Sequence, residues 1–132
     1  MGAWVDEDLE VLQNEYFVRT VLFVNQQTND FFNYVGATAV LSVRQSWSDS
    51  AAELLEIRSD GVSPQIEFVS LPAGSTPAPA YPNAYKFWLT AAQLAALPAG
   101  TFYYDLLVVW ADGTKSYLQR GSFFVITTAA RD

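Results

Sequence analysis

The two residue types that carry most enzyme and metal chemistry, histidine and cysteine, are both missing from the 132 residues. Without histidine there is no Ser-His-Asp triad, and the commonest general base and metal ligand is gone. Without cysteine there is no disulfide, thiolate site or sulfur nucleophile. Chemistry therefore falls to the carboxylates. Asp105 lies inside the apolar run Thr101-Phe-Tyr-Tyr-Asp105-Leu-Leu-Val-Val109. An aspartate so placed accepts hydrogen bonds from a loop or pairs with an arginine, here Arg44 or Arg120. Glycoside hydrolysis needs a second carboxylate across a cleft, and Glu67 is the one to imagine, but no spacing supports that pair. Asp49, Asp60 and Asp112 occupy turn sequences without the ligand spacing of a calcium loop. The expectation is a protein with no catalytic residue, no cofactor and no metal.

Binding chemistry is better represented. Trp4, Trp47, Trp88 and Trp110 raise the possibility of a sugar platform for a host glycan, although they lack coplanar spacing. Nucleic acid is not expected: formal charge is -7, and Asp6, Glu7, Asp8, Glu10 and Glu15 precede the first basic residue. The acidic start does not read as a signal peptide, and no apolar run approaches the ~20 residues of a membrane helix. A chain made in the cytoplasm, with no membrane partner, is the expectation. Charged residues are only 16% against roughly 25% in typical domains, while hydrophobic residues reach 51% and aromatics 15%. A small domain with that balance exposes apolar surface, and such surface implies a partner.

The elements that must position these residues read as strands. Residues 1–14 form an acidic arm, ordered either on a partner or as a local cap, and 15–132 form one domain. Residues 15–24 are rich in β-branched and aromatic side chains. Residues 38–45 alternate, with Ala39, Leu41 and Val43 on one face. Short strands follow at 54–58, 66–69 and 85–89, the last setting Lys86 and Trp88 outward. Residues 71–83 carry Pro72, Pro77, Pro79 and Pro82 and read as an extended loop. Thr90 and Gln93 have capping-box spacing, so one or two helical turns follow. Residues 101–109 are the strongest strand, and Asp112-Gly113 turns the chain into further strands at 114–118 and 122–127. The expected fold is an all-β, immunoglobulin-like antiparallel sandwich of about seven to eight strands with one short helical turn.

A family resemblance enters through Leu97-Pro-Ala-Gly100-Thr-Phe-Tyr-Tyr-Asp105-Leu, Ala111-Asp-Gly113-Thr and Leu118-Gln-Arg-Gly121-Ser-Phe-Phe-Val125, with Gly36-Ala-Thr-Ala-Val-Leu-Ser-Val-Arg44 upstream. Together they resemble the immunoglobulin-like N-terminal domain of phage baseplate upper proteins and related virion proteins, over roughly residues 16–128. The resemblance implies a non-enzymatic virion protein of the tail, baseplate or head-tail region, made in the host cytoplasm and working through protein–protein contacts. A capsid decoration protein of the same fold, or a carbohydrate-binding module on the virion, are the alternatives. Because the chain stops at Asp132, without the receptor-binding or oligomerising segment that often follows in the family, an adaptor or decoration subunit is expected. Phe102 stands where such sandwiches often place a corner tyrosine, unless Tyr103 or Tyr104 substitutes.

In the 101–109 strand both faces are apolar: Phe102, Tyr104, Leu106 and Val108 on one side, and Tyr103, Leu107 and Val109 beside Asp105 on the other. A two-layer sandwich needs only one apolar face. The second must meet the arm, the helical turn or another protein chain. The candidate contacts with other virion proteins, or with further copies in a homo-oligomeric or multi-copy assembly, are accordingly Trp4, Asp6, Leu9, Leu12, Trp47, Pro77, Pro79, Tyr81, Trp88, Tyr103, Leu107 and Val109.

Overall fold

The computed structural model describes residues 5–25, 30–46 and 53–127. Eleven strands and one helix succeed one another: β1 (Val5–Asp6), β2 (Leu9–Leu12), β3 (Phe17–Leu22), β4 (Val24–Asn25), β5 (Asp30–Phe31), β6 (Thr38–Arg44), β7 (Glu53–Arg58), β8 (Ile66–Val69), β9 (Ala84–Leu89), α1 (Ala91–Ala95), β10 (Gly100–Val109) and β11 (Lys115–Ile126). Eight of these strands have four residues or more, in line with the number expected. The large sheet runs β1-β11-β10-β6-β7, with β2 also on β11, and the small one runs β3-β9-β8. β4 and β5 form a separate pair.

Alternation decides which residues enter the core. Ala39, Leu41 and Val43 of β6 are buried, as are Phe102, Tyr104, Leu106 and Val108 of β10 and Tyr85, Phe87 and Leu89 of β9. These residues of both sheets join one hydrophobic cluster, which makes the two sheets a sandwich. The capping box forms with both arms: Thr90 Oγ1 accepts from the Gln93 amide, and Gln93 Oε1 accepts from the Thr90 amide. The helix is one turn and a half long and drops Leu94 into the core. Gly113, at φ 91°, takes the left-handed position of the β10–β11 turn, where the Trp110 amide donates to Thr114 O at 2.8 Å.

Two features differ from the sequence expectation. The segments expected at 114–118 and 122–127 are one continuous strand, β11, with a register shift opposite Leu106/Leu107. The extra residue there is Leu118, so Leu118 and Gln119, consecutive in sequence, are both buried. The second difference is the acidic arm. Its described residues are built into the sheet: β1 and β2 pair in parallel with β11, with Val5 opposite Gln119 and Leu9 opposite Phe123. Leu9 and Val11 alternate inward and are 3% and 1% exposed, while Glu10 and Leu12 face out. Burial of those two side chains holds the acidic segment down despite its charge.

The break between β1 and β2 sits where Gly121 lies under the chain. A Cβ at Gly121 would come 2.2 Å from Glu7 O and 2.7 Å from Glu7 C, so only glycine admits the crossing. At that point a buried polar network joins the sheets. Tyr85 donates to Gln119 Oε1 at 2.5 Å; Gln119 Nε2 donates to the Tyr104 hydroxyl at 2.9 Å and to Glu7 Oε1 at 3.1 Å. The Tyr104 hydroxyl in turn donates to Glu7 O at 2.6 Å, and Arg19 of β3 pairs with the Glu7 carboxylate. The tyrosine at 104 thus anchors the N-terminal strand rather than the connection between β9 and β10.

Burial pushes the hydroxyls of Tyr34, Tyr85 and Tyr104 well above the ordinary tyrosine range. The unfolded chain releases those protons near pH 10, the folded one only much higher. Stability is therefore intact below about pH 10 and falls as the pH rises beyond it. In an alkaline titration, tyrosinate absorbance from these three residues should appear in step with loss of β-sheet circular dichroism. Ionisation of all seven tyrosines in a chain that stays folded would contradict this burial.

Candidate interaction surface

The outer face of the large sheet is built by the residues that alternate with the core. On β10 these are Tyr103, Asp105, Leu107 and Val109, all half-buried. Register places Leu107 between Val40 of β6 and Tyr117 of β11, and Asp105 between Ser42 and Arg120. Tyr103 lies between Arg44 and Ser122, and Phe124 lies between Thr101 and Glu10. An apolar row of Val40, Leu107 and Tyr117 is thus followed by a polar row. Tyr117, Ile126 and Leu12, 45%, 40% and 36% exposed, extend the apolar surface along β11 and β2.

The polar row is internally paired. Arg44 donates to Glu53 at 2.9 Å and lies 3.6 Å from Asp105, and the Ser42 hydroxyl donates to Glu53 at 3.0 Å. Both arginines the sequence offers Asp105 flank it, Arg44 on β6 at 3.6 Å and Arg120 opposite it on β11. The outward positions of the sheet's strands hold four basic residues (Arg44, Arg58, Lys115, Arg120) and five acidic ones (Asp6, Glu10, Glu53, Glu56, Asp105), near balance. The rest of the chain holds three basic residues against nine acidic.

Of the intramolecular covers expected for this face, neither lies over it among the described residues. β1 and β2 extend the sheet sideways, and α1 turns Leu94 into the core. Asp6, Leu12, Tyr103, Leu107 and Val109, five of the contact candidates, share this face, with Val109 and Leu12 at opposite ends of β11. Leu9 does not, being buried in its own domain's core. Pro77, Pro79 and Tyr81 belong to the loop between β8 and β9, whose base is clamped by Asn83 through the Leu71 amide and carbonyl. Trp88 lies on the outer surface of the small sheet beside Val18, with Lys86 Nζ 5.7 Å from its ring centroid. One ring face is thus engaged by a cation. Trp110 stacks on Tyr34 and Phe32. Trp4 and Trp47 lie outside the described residues.

The carboxylates do not assemble a reaction site among the described residues. Asp105 and Glu67 face opposite outer surfaces of the sandwich, Glu67 beside Lys86 at 3.8 Å. Asp60 pairs with Arg58, and Asp112 accepts from the Thr114 amide and hydroxyl. Those two hydrogen bonds hold the Asp112 carboxyl below its usual range. Asp49 lies outside the described residues, and no group of three potential metal ligands occurs among those described. Phe123 and Phe124, consecutive in the last strand, must point to opposite sides, and Phe124 is the one on this face; what sequence reading did not anticipate is Val40 and Tyr117. Tyr117 was hidden by the bulge at Leu118, which reverses the alternation along β11.

Strand order β11-β10-β6-β7 facing β3-β9-β8 is that of an immunoglobulin-like sandwich of the variable type, with its N-terminal strand parallel to the last. No family model matches the chain, and no curated protein does. Among solved structures, one similar chain comes from photo-crosslinking analyses of the multimeric cell-adhesive interactions of voltage-gated sodium channel β subunits. It is 8% identical, with a TM-score of 0.40 over 93% of this chain and 92% of that one. Another is an extracellular domain of the voltage-gated sodium channel β4 subunit, studied as parallel homodimers in cell–cell adhesion. It is also 8% identical, with a TM-score of 0.36 over 97% of both chains. Likenesses this distant carry no argument about what the chain does.

Proposed function

We propose that this chain is a non-enzymatic structural subunit of a bacteriophage virion, an adaptor or accessory protein of the tail, baseplate or head-tail region. It acts by burying the outer face of the large sheet against other virion chains and copies of itself. The observation that carries the reading as an interaction module is that uncovered face. Tyr103, Leu107 and Val109 sit half-buried on it, Leu107 between Val40 and the exposed Tyr117, and Arg44, between Asp105 and Glu53, is paired with both. The apolar part of such a surface gains free energy when it is removed from water, and the pairing of Arg44 with Asp105 and Glu53 lessens the penalty of covering those charges. The virion setting is supported by the sequence resemblance over residues 16–128.

The test is direct. Particles purified from an infected culture should contain the chain at fixed stoichiometry by mass spectrometry. Imaging of those particles should place its density in the tail or at the head-tail junction. Density on the capsid shell would instead make it a decoration protein, and absence from particles would overturn the virion reading.

A further inference from the structure

We propose that the proline-rich loop between β8 and β9 is a contact element in its own right, a preformed ligand for an aromatic-lined groove on a partner chain. The proposal rests neither on the outer face of the large sheet nor on the virion assignment.

The first observation is that the loop is held in shape. Asn83, 0% exposed, clamps its base: Oδ1 accepts from the Leu71 amide at 2.8 Å, and Nδ2 donates to Leu71 O at 3.0 Å. The Ser70 hydroxyl donates across the loop to Pro79 O at 2.5 Å, and Pro82 O accepts from the Tyr34 amide at 2.9 Å. Ala73 and Thr76 exchange both backbone hydrogen bonds around Gly74, which sits at φ 57°. These bonds, with φ fixed at Pro72, Pro77, Pro79 and Pro82, lower the entropy that docking a loop would otherwise cost. Beyond the clamps the residues from Gly74 to Ala78 are exposed, while Pro79 and Tyr81 are half-buried.

The second observation is what the exposed tip offers, and it narrows the partner. No residue from Phe68 to Tyr85 is charged, so the loop brings no ion pair to a contact. Pro77, Pro79 and Pro82 lack the amide that a β-ladder needs, so an added strand cannot run along it. From Pro77 to Pro79 the backbone has three carbonyls, one of them taken by Ser70, and a single amide at Ala78. Proline ring faces and acceptor carbonyls are what remain. Tryptophan and tyrosine match both at once, with a flat apolar face for the pyrrolidine ring and an N–H or O–H for the carbonyl. A groove lined with such residues is the counterpart this loop selects.

The experiment is an NMR titration of the full chain with N-acetyltryptophanamide. N-acetylleucinamide, apolar but without a ring, is the control. Protons held over an aromatic face move upfield. Saturable upfield shifts are expected at Pro77, Ala78 and Pro79 with the tryptophan probe and not with the leucine one. Val62, 100% exposed on the turn between β7 and β8, should not respond. Pro77→Ala leaves every clamp in place and should lose much of the shift, with the Leu71 amide signal unmoved. A flat titration, an equal response to both probes, shifts as large at Val62, or a response that Pro77→Ala keeps in full overturns the proposal. Its failure is separable from that of the virion reading: a silent loop on a chain found in particles sinks only this inference, and a responsive loop on a chain absent from them sinks only the other.

Discussion

Gly121→Ala is expected to unseat the N-terminal strands. The new methyl group would sit 2.2 Å from Glu7 O, and the atoms it meets are backbone, which cannot swing aside as a side chain can. The crossing at Glu7 and Asp8 must lift. With it go the Glu7 amide bond to Arg120 O at 2.9 Å, the Tyr104 bond to Glu7 O, and the Asp8 carboxylate's acceptance from the Ser122 amide at 3.0 Å. Overpacking of this kind and the loss of those bonds together should cost about 3 kcal/mol. For a chain of this length that is a fall in Tm of roughly 10 °C. Hydrogen exchange should show the amides of β1 and β2 released, with β10 and β6 still protected. A variant as stable as the parent, with β2 amides still slow to exchange, would show that the crossing does not lie where it is described.

The second large effect belongs to Gln119. Its side chain is 0% exposed and bridges Tyr85 in the small sheet to Tyr104 and Glu7 in the large one. Gln119→Leu keeps much of the volume but leaves the buried Tyr85 hydroxyl without its acceptor. An unsatisfied buried donor costs about 1–3 kcal/mol, so a loss near 2 kcal/mol is expected in urea unfolding. The informative variant is the double one. Tyr85→Phe alone strands the Gln119 carbonyl, whereas Tyr85→Phe with Gln119→Leu removes both ends of the bond. The double variant should therefore be more stable than the sum of the singles by about 1 kcal/mol. Strict additivity would mean that the two groups do not meet in the folded protein.

These two residues mark the boundary of what the sequence makes legible. The alternation of 38–44, the capping pair Thr90 and Gln93, and the two-faced strand at 101–109 are local patterns, and each becomes the element expected. Gly121 and Gln119 are set by contacts with residue 7, more than a hundred positions away. In the sequence, Gly121 looks like the start of a strand; in the fold it is the clearance for a backbone crossing. Gln119 points inward only because Leu118 forms a bulge, and nothing local announces that. The N-terminal segment reads as an arm with two possible fates because its acidic residues dominate, although Leu9 and Val11 already show the period of two that lays a strand on a sheet edge. Tyr103, Leu107 and Val109 were legible as an excess apolar face. What covers that face depends on where the arm and helix go, which is a tertiary matter.

Photo-crosslinking on assembled particles tests the central claim, that the outer face of the large sheet is the working surface. A benzophenone side chain is placed at position 103 on that face and, separately, at position 18 on the outer surface of the small sheet. Crosslinks to a second copy or to another virion chain are predicted from position 103, with little or none from position 18. Crosslinks from position 18 alone, in particles that hold the chain, would contradict the account.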